Sequence, residues 1–173
     1  MVSLHSGDAA AESLDKLAEA MLDREVGELL NAYVQSIDDD ELESWPDFFT
    51  EKCLYRIVPR ENHERGLPAA VMWCDSRDMM VDRITALRHA NIYQVQWYRH
   101  IISAPRILAV TGDEIHVRSN YAVFRTCNDG ESTVYNVGRY VDVIVRDKDV
   151  LKFRERSVIY DTHKISTLMV IPI

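Results

Sequence analysis

The densest run of polar and aromatic side chains in the sequence is Trp97-Tyr98-Arg99-His100, followed further along by Arg118, Asn120 and Tyr121. A histidine and a tyrosine can exchange protons, and guanidiniums beside a carboxamide can hold an anion, so the set has the parts of a polar site. Strand alternation limits it, because Tyr98 and His100 would share one face and Arg99 the other. A hydrogen-bond and ion-pair network across a hairpin fits these residues better than a catalytic centre, since a histidine in such a network is usually satisfied. Arg99 is therefore expected to serve structure or assembly. Arg139, Arg154 and Arg156, with Asp142 and Glu155, add opposite charges on neighbouring segments. Exposed pairs of that kind contribute about 0–1 kcal/mol each. Desolvated arginines become recognition residues instead, through bidentate pairing with carboxylates. Arg99, His100, Arg118, Asn120 and Arg139 are the candidates for a structural network or a subunit interface.

A second set, Tyr55, His100, Asp142 and Tyr160, could supply acid and base groups to an internal cavity, as a dehydratase or isomerase needs. The same cavity without turnover would be a small-molecule-binding module. No local motif ties these four together. A Gly-rich phosphate loop, a nucleophile elbow and HExxH are all missing. No two of the six histidines lie within four residues of each other, and Cys53, Cys74 and Cys127 are widely separated. Neither spacing matches a local metal motif or a disulfide framework, and three unpaired cysteines indicate a reducing compartment, the cytoplasm.

These residues must be positioned by a helical first half and a strand-rich second half. Leu14, Leu17, Met21, Val26, Leu29, Leu30, Tyr33, Val34 and Ile37 form the apolar stripe of an amphipathic helix, with residues 1–7 as a loose tail. Asp38, Asp39 and Asp40 interrupt the stripe and suit a solvated helix junction better than a metal site. A shorter helix through Leu42, Trp45, Phe48 and Phe49 follows, with Pro46 in its first turns. Cys53 to Pro59 reads as a strand, 59–68 as a loop, and a third helix starts near Asp75 or Ser76, burying Met79, Met80, Ile84 and Leu87.

Strands are expected near 101–110, 114–126, 133–146 and 150–161, separated by Thr111-Gly112-Asp113, Asn128-Asp129-Gly130 and Asp147-Lys148-Asp149. Val137, Arg139, Val141, Val143 and Val145 fall on one face, and Tyr140, Asp142 and Ile144 on the other. An antiparallel meander this long must twist and curl into a cone, with the preceding helices packed on its concave face. The fold class is α+β, one domain over 1–173. The apolar ending Leu168-Met169-Val170-Ile171-Pro172-Ile173 needs cover, as an edge strand or against another subunit.

The net charge of -8 and the scattered Lys and Arg argue against nucleic acid and anionic membranes as partners, and a protein partner fits better. No apolar run approaches the roughly 20 residues that span a bilayer.

Taken in order, SWPDFFTEKCLYRIVPRENH, DSRDMMVDRITALR, YRHIIS, EIHVRSNYAVFR and VGRYVDVIVR, over about residues 44–146, resemble the β, or small, subunits of aromatic-ring-hydroxylating dioxygenases. The resemblance implies the curled-sheet cone also found in nuclear transport factor 2, scytalone dehydratase and ketosteroid isomerase. It further implies a chain with no catalytic site and no cofactor of its own. The partner would be a large α subunit carrying a Rieske 2Fe-2S cluster and a mononuclear iron, fed from NADH through a separate reductase. Copies of this chain would form a trimer about the threefold axis of an α3β3 hexamer. DSRDMMVDRITALRHANIY and the TLMVIPI ending resemble the branches that act on aromatic carboxylates such as terephthalate, anthranilate and salicylate.

Overall fold

The computed structural model describes residues 5–90, 96–161 and 171–173. Helix α1 spans His5–Asp38, so residues 5–7 are helical where a loose tail was expected, and Met1 to Leu4 lie outside the described residues. Only the second half of its apolar stripe is used. Val26, Leu30 and Tyr33 are fully buried, whereas Leu14, Leu17 and Met21 are 66%, 57% and 56% exposed. The expected helix after the acidic triplet is a 3-10 helix, Leu42–Phe48, which tolerates Pro46 and buries Trp45.

Strand β1, Phe49–Pro59, begins earlier than expected. A one-turn helix α2, Arg60–Glu64, replaces part of the expected loop, and a short strand β2, Met72–Cys74, was not anticipated. Helix α3, Arg77–Ala90, starts where the Ser76 hydroxyl accepts from the Met79 amide at 3.4 Å. It buries Met80, Ile84 and Leu87, but Met79 is exposed.

The run expected near 101–110 is two strands, β3 at Gln96–Ile102 and β4 at Arg106–Thr111. Pro105 stands in the break, where a residue without an amide hydrogen cannot continue the ladder. Both lie along one edge of β5, Glu114–Cys127. There β3 pairs with its second half and β4 with its first. Long strands β6, Ser132–Asp147, and β7, Val150–Tyr160, complete the sheet. Lys148 and Asp149 join them with φ of 48° and 68°, as a two-residue type I′ hairpin requires.

The order is β2-β1-β7-β6-β5-β3, with β4 paired to the same edge of β5 as β3. The sheet is mixed rather than wholly antiparallel, because the first long strand, β1, pairs in parallel with the last, β7. Apart from that pair, the curled sheet with helices on one face follows the expected α+β plan. Its helix-facing side carries the core. At Gly138 on β6 a Cβ would stand 2.1 Å from the Ile159 carbonyl oxygen and 2.9 Å from the Tyr121 hydroxyl, so only glycine permits this approach of β6 and β7.

Candidate functional site

The inner face of the sheet carries one cross-strand row that runs Cys74, Tyr55, Arg156, Asp142, Val117 from β2 to β5. Arg156 and Asp142 meet in a bidentate pair, Nε to Oδ1 and Nη2 to Oδ2, both 2.9 Å. The guanidinium also lies over the rings of Tyr33, Tyr140 and Phe153, 4.0–4.2 Å from their centroids. Burial pushes the Asp142 carboxyl above the usual carboxylate range, with Arg156 pulling the other way. Burial is the strongest influence on Arg156 and opposes its charge, but Asp142 together with the Tyr33 and Tyr140 phenols outweighs it and holds the guanidinium above its ordinary value.

Above this row the interior is filled by the chain itself. The main chain of Ile173 donates its amide to the Tyr55 hydroxyl at 2.9 Å, and its carbonyl oxygen accepts from Tyr33 at 3.0 Å and Tyr55 at 3.1 Å. Trp45 Nε1 donates to the Tyr33 hydroxyl at 3.2 Å, so two phenols, an indole and one main-chain residue form a closed set. Ile173 is buried inside its own subunit. It is therefore neither on a sheet edge nor at a surface, and Leu168 to Val170 of the apolar ending lie outside the described residues. Burial pushes the Tyr33 phenol up and those of Tyr55 and Tyr140 well up.

The four cavity candidates do not converge. Tyr55 and Asp142 flank Arg156, while Tyr160 lies four residues along β7, about 13 Å away, beside Gly138. His100 is held elsewhere. Its ring Nδ1 lies 2.6 Å from Asp38 Oδ1, and its amide donates to Asp38 Oδ2 at 2.8 Å, which ties the end of α1 to β3. Asp38 is thus half-buried and engaged, whereas its position in an acidic triplet suggested a solvated junction. The sequence signal was its place directly after the last apolar stripe residue, Ile37. Arg99 emerges on the opposite face, donating to the Asp38 carbonyl at 2.9 Å and lying 3.6 Å from Asp39 Oδ1.

The expected Arg99, His100, Arg118, Asn120, Arg139 network is consequently split. Arg118, Asn120 and Arg139 line an open pocket of about 410 Å³ on the outer face, together with Ser103, Ala104, Arg106 and Ser119. Within it Arg118 stands directly across from Arg106, and Asn120 from Arg139. Sequence reasoning missed Arg106 because the break before β4 was not recognised. Of the other charges singled out, Arg154 pairs with Glu114 at 2.6 Å. Among the described residues no three His, Cys, Asp or Glu side chains gather where a metal could be held, and no helix is long and apolar enough to cross a membrane.

Residues 18–157 match the model of the SnoaL-like domain family. The chain is 46% identical over 149 residues to the anthranilate 1,2-dioxygenase small subunit of Burkholderia cepacia, covering 86% of this chain and 92% of that one. It is 39% identical over 142 residues to the terminal oxygenase component subunit beta 1 of terephthalate 1,2-dioxygenase from a Comamonas species, covering 82% and 92%. Among solved structures, a beta subunit ascribed to an aromatic-ring-hydroxylating dioxygenase of Novosphingobium aromaticivorans superposes with a TM-score of 0.84 at 42% identity, covering 90% of this chain and 99% of that one. A curled α+β sheet of the SnoaL-like class, with an interior closed by its own main chain, is what the geometry defines. The chain belongs to the small, or beta, subunits of the multicomponent aromatic-ring-hydroxylating dioxygenases.

Proposed function

We propose that this chain works as a non-catalytic assembly subunit, in the cytoplasm, for a large oxygenase subunit that carries the Rieske cluster and mononuclear iron and receives electrons from NADH through a reductase. The observation that carries this reading is the bonding of Tyr33 and Tyr55 to Ile173. Main chain lies against the row where a cone-shaped enzyme would bind substrate, and of the four cavity candidates Tyr55, Asp142 and His100 Nδ1 are engaged by Ile173, Arg156 and Asp38, while Tyr160 stands apart from them. The described residues offer no cluster of His, Cys, Asp or Glu that could hold either iron centre.

The names of the relatives support an aromatic carboxylate as the substrate of the assembled enzyme, since anthranilate and terephthalate are both of that class. Free Cys53, Cys74 and Cys127 support a reducing compartment. Family resemblance supports an α3β3 complex with a trimer of this chain. Arg99 and His100 tie helix to sheet, and Arg118, Asn120 and Arg139 face outward toward a partner.

Co-purification with the large subunit from the same gene cluster tests the reading. Ring hydroxylation of anthranilate, terephthalate or salicylate is expected from the complex, to be lost when this chain is omitted, and to be absent from the chain alone. Dehydration or isomerisation by the purified chain, or full activity of the large subunit without it, would overturn the proposal.

A further inference from the structure

Most arginines of this chain have found an acid within it. Arg24 pairs with Glu28, Arg60 with Asp161, Arg65 with Glu61, Arg88 with Asp40 and Glu43, Arg99 with Asp39, Arg146 with Glu25, Arg154 with Glu114, and Arg156 with Asp142. On the sheet, Arg56, Arg106, Arg118 and Arg139 have no ion pair among the described residues, as Arg77 on α3 has none; all four sheet arginines project from the outer face, where Arg56 Nε donates to the Ser157 hydroxyl at 2.8 Å.

Register puts them together. Arg56 on β1 stands opposite Ser157 on β7, Ser157 opposite Val141 on β6, Val141 opposite Arg118 on β5, and Arg118 opposite Arg106 on β4. Three arginines therefore share one cross-strand row, about 19 Å along the curled sheet at four strand spacings. Arg139 stands in the next row beside Asn120. Trp73 on β2 extends the row past Arg56 and is 42% exposed.

Like charges directly opposed on neighbouring strands destabilise a sheet. Arg106 against Arg118 is such a pair, and no acid within the described chain relieves it, although acids outnumber bases overall, 28 to 20. Scarcity of carboxylate is thus not the cause. The field of these cations is felt nearby at His63 on α2, whose imidazole is held below its ordinary value first by burial and then by Arg139 and Arg56. Face-to-face contact of two copies centred on this row would set the arginines against their own image, which opposes a symmetric sheet-on-sheet dimer there. Arginine and tryptophan are the side chains that carry binding energy when a partner desolvates them.

We propose that the outer sheet face across Arg56, Arg118, Arg106 and Arg139 is the docking surface for a carboxylate-bearing segment of the large oxygenase subunit. This rests on the reading of the chain as a small subunit, and it adds the face and the chemistry of the contact. Each guanidinium fork would take one Asp or Glu of the partner bidentately, with Trp73 and Val141 supplying the apolar part.

The test uses full-length chain and the large subunit from the same gene cluster, with affinity measured from 50 to 500 mM salt. Wild-type affinity should fall with salt, as screened charges require. Arg118→Glu and the double variant Arg106→Glu/Arg118→Glu should raise Kd by about 30-fold or more. Arg24→Glu on α1 should leave it unchanged, and melting temperatures should report intact folding for each variant. Arg118→Lys, which keeps the charge, should form carbodiimide amide cross-links to Asp or Glu of the large subunit, read by mass spectrometry. If wild-type chain binds and the charge reversals bind equally well without such cross-links, the docking surface is wrong while the small-subunit reading stands. If the reversals abolish self-association but not binding to the large subunit, the occupant is a second copy and the proposal falls. Absence of wild-type binding would overturn both.

Discussion

Arg156 and Asp142 face each other across β7 and β6 in a two-pronged ion pair, with neither side chain reaching solvent. The pair sits at the centre of the inner face, capped by aromatic rings on one side and flanked by Tyr55 on the next strand. Buried ion pairs of this kind gain little over a well-packed apolar pair, because desolvation offsets the attraction, but breaking one strands the other charge.

Asp142→Asn or Arg156→Met alone should therefore destabilise the fold by roughly 3–5 kcal/mol in urea unfolding at pH 7. Replacing both together, Asp142→Leu with Arg156→Met, should cost clearly less than either single change. Costs that simply added would show that the two residues act independently.

Tyr55→Phe removes one donor to Ile173 and leaves the Ile173 amide without its acceptor, in a site closed to solvent. A loss of about 1–3 kcal/mol is expected, read from the shift of the urea midpoint at constant slope. An unchanged midpoint would mean that the Ile173 main chain does not depend on this phenol.

The contact between α1 and β3 separates its two basic residues by size of effect. Asp38→Ala strands both the amide and the ring nitrogen of His100 and should cost roughly 2–4 kcal/mol. Arg99→Ala breaks a pair whose side chains are 61% and 63% exposed and should cost under about 1 kcal/mol. Equal losses in a side-by-side denaturation series would contradict this division.

Alkaline pH should unfold the protein through its buried acids. Burial, aided by Cys74, pushes the Cys53 thiol from 9.0 up to about 11, and the Tyr33, Tyr55, Tyr121 and Tyr140 phenols are raised in the same direction. A group raised on folding lends stability that is complete below its unfolded value and is lost as pH climbs through the folded one. The melting temperature should thus be unaffected by these groups up to about pH 9 and fall beyond it. Phenolate absorbance of the buried tyrosines should rise together with loss of structure. Complete tyrosine ionisation by pH 10 in a folded protein would contradict the burial of these rings.

The sequence by itself determined the α+β plan, the hairpin turns at Gly112 and Lys148-Asp149, the opposite orientation of Arg99 and His100, and the family. Each of these follows from short-range rules, because alternation, turn propensity and an ordered set of motifs are properties of neighbouring residues. Alternation also separated the two faces of β6 correctly, but it could not say which one is deeply buried. The valine-rich face proved half-exposed, and the face with Tyr140, Asp142 and Ile144 became the core. Only the tertiary structure chose Arg156, rather than Arg139 or Arg154, as the buried cation, since these arginines differ only in which strand register and sheet face they occupy. It alone brought Ile173 to Tyr55 across 118 positions and β1 beside β7 in parallel. Such contacts are fixed by how the curled sheet closes around its helices, a long-range packing condition that no local spacing along the chain encodes.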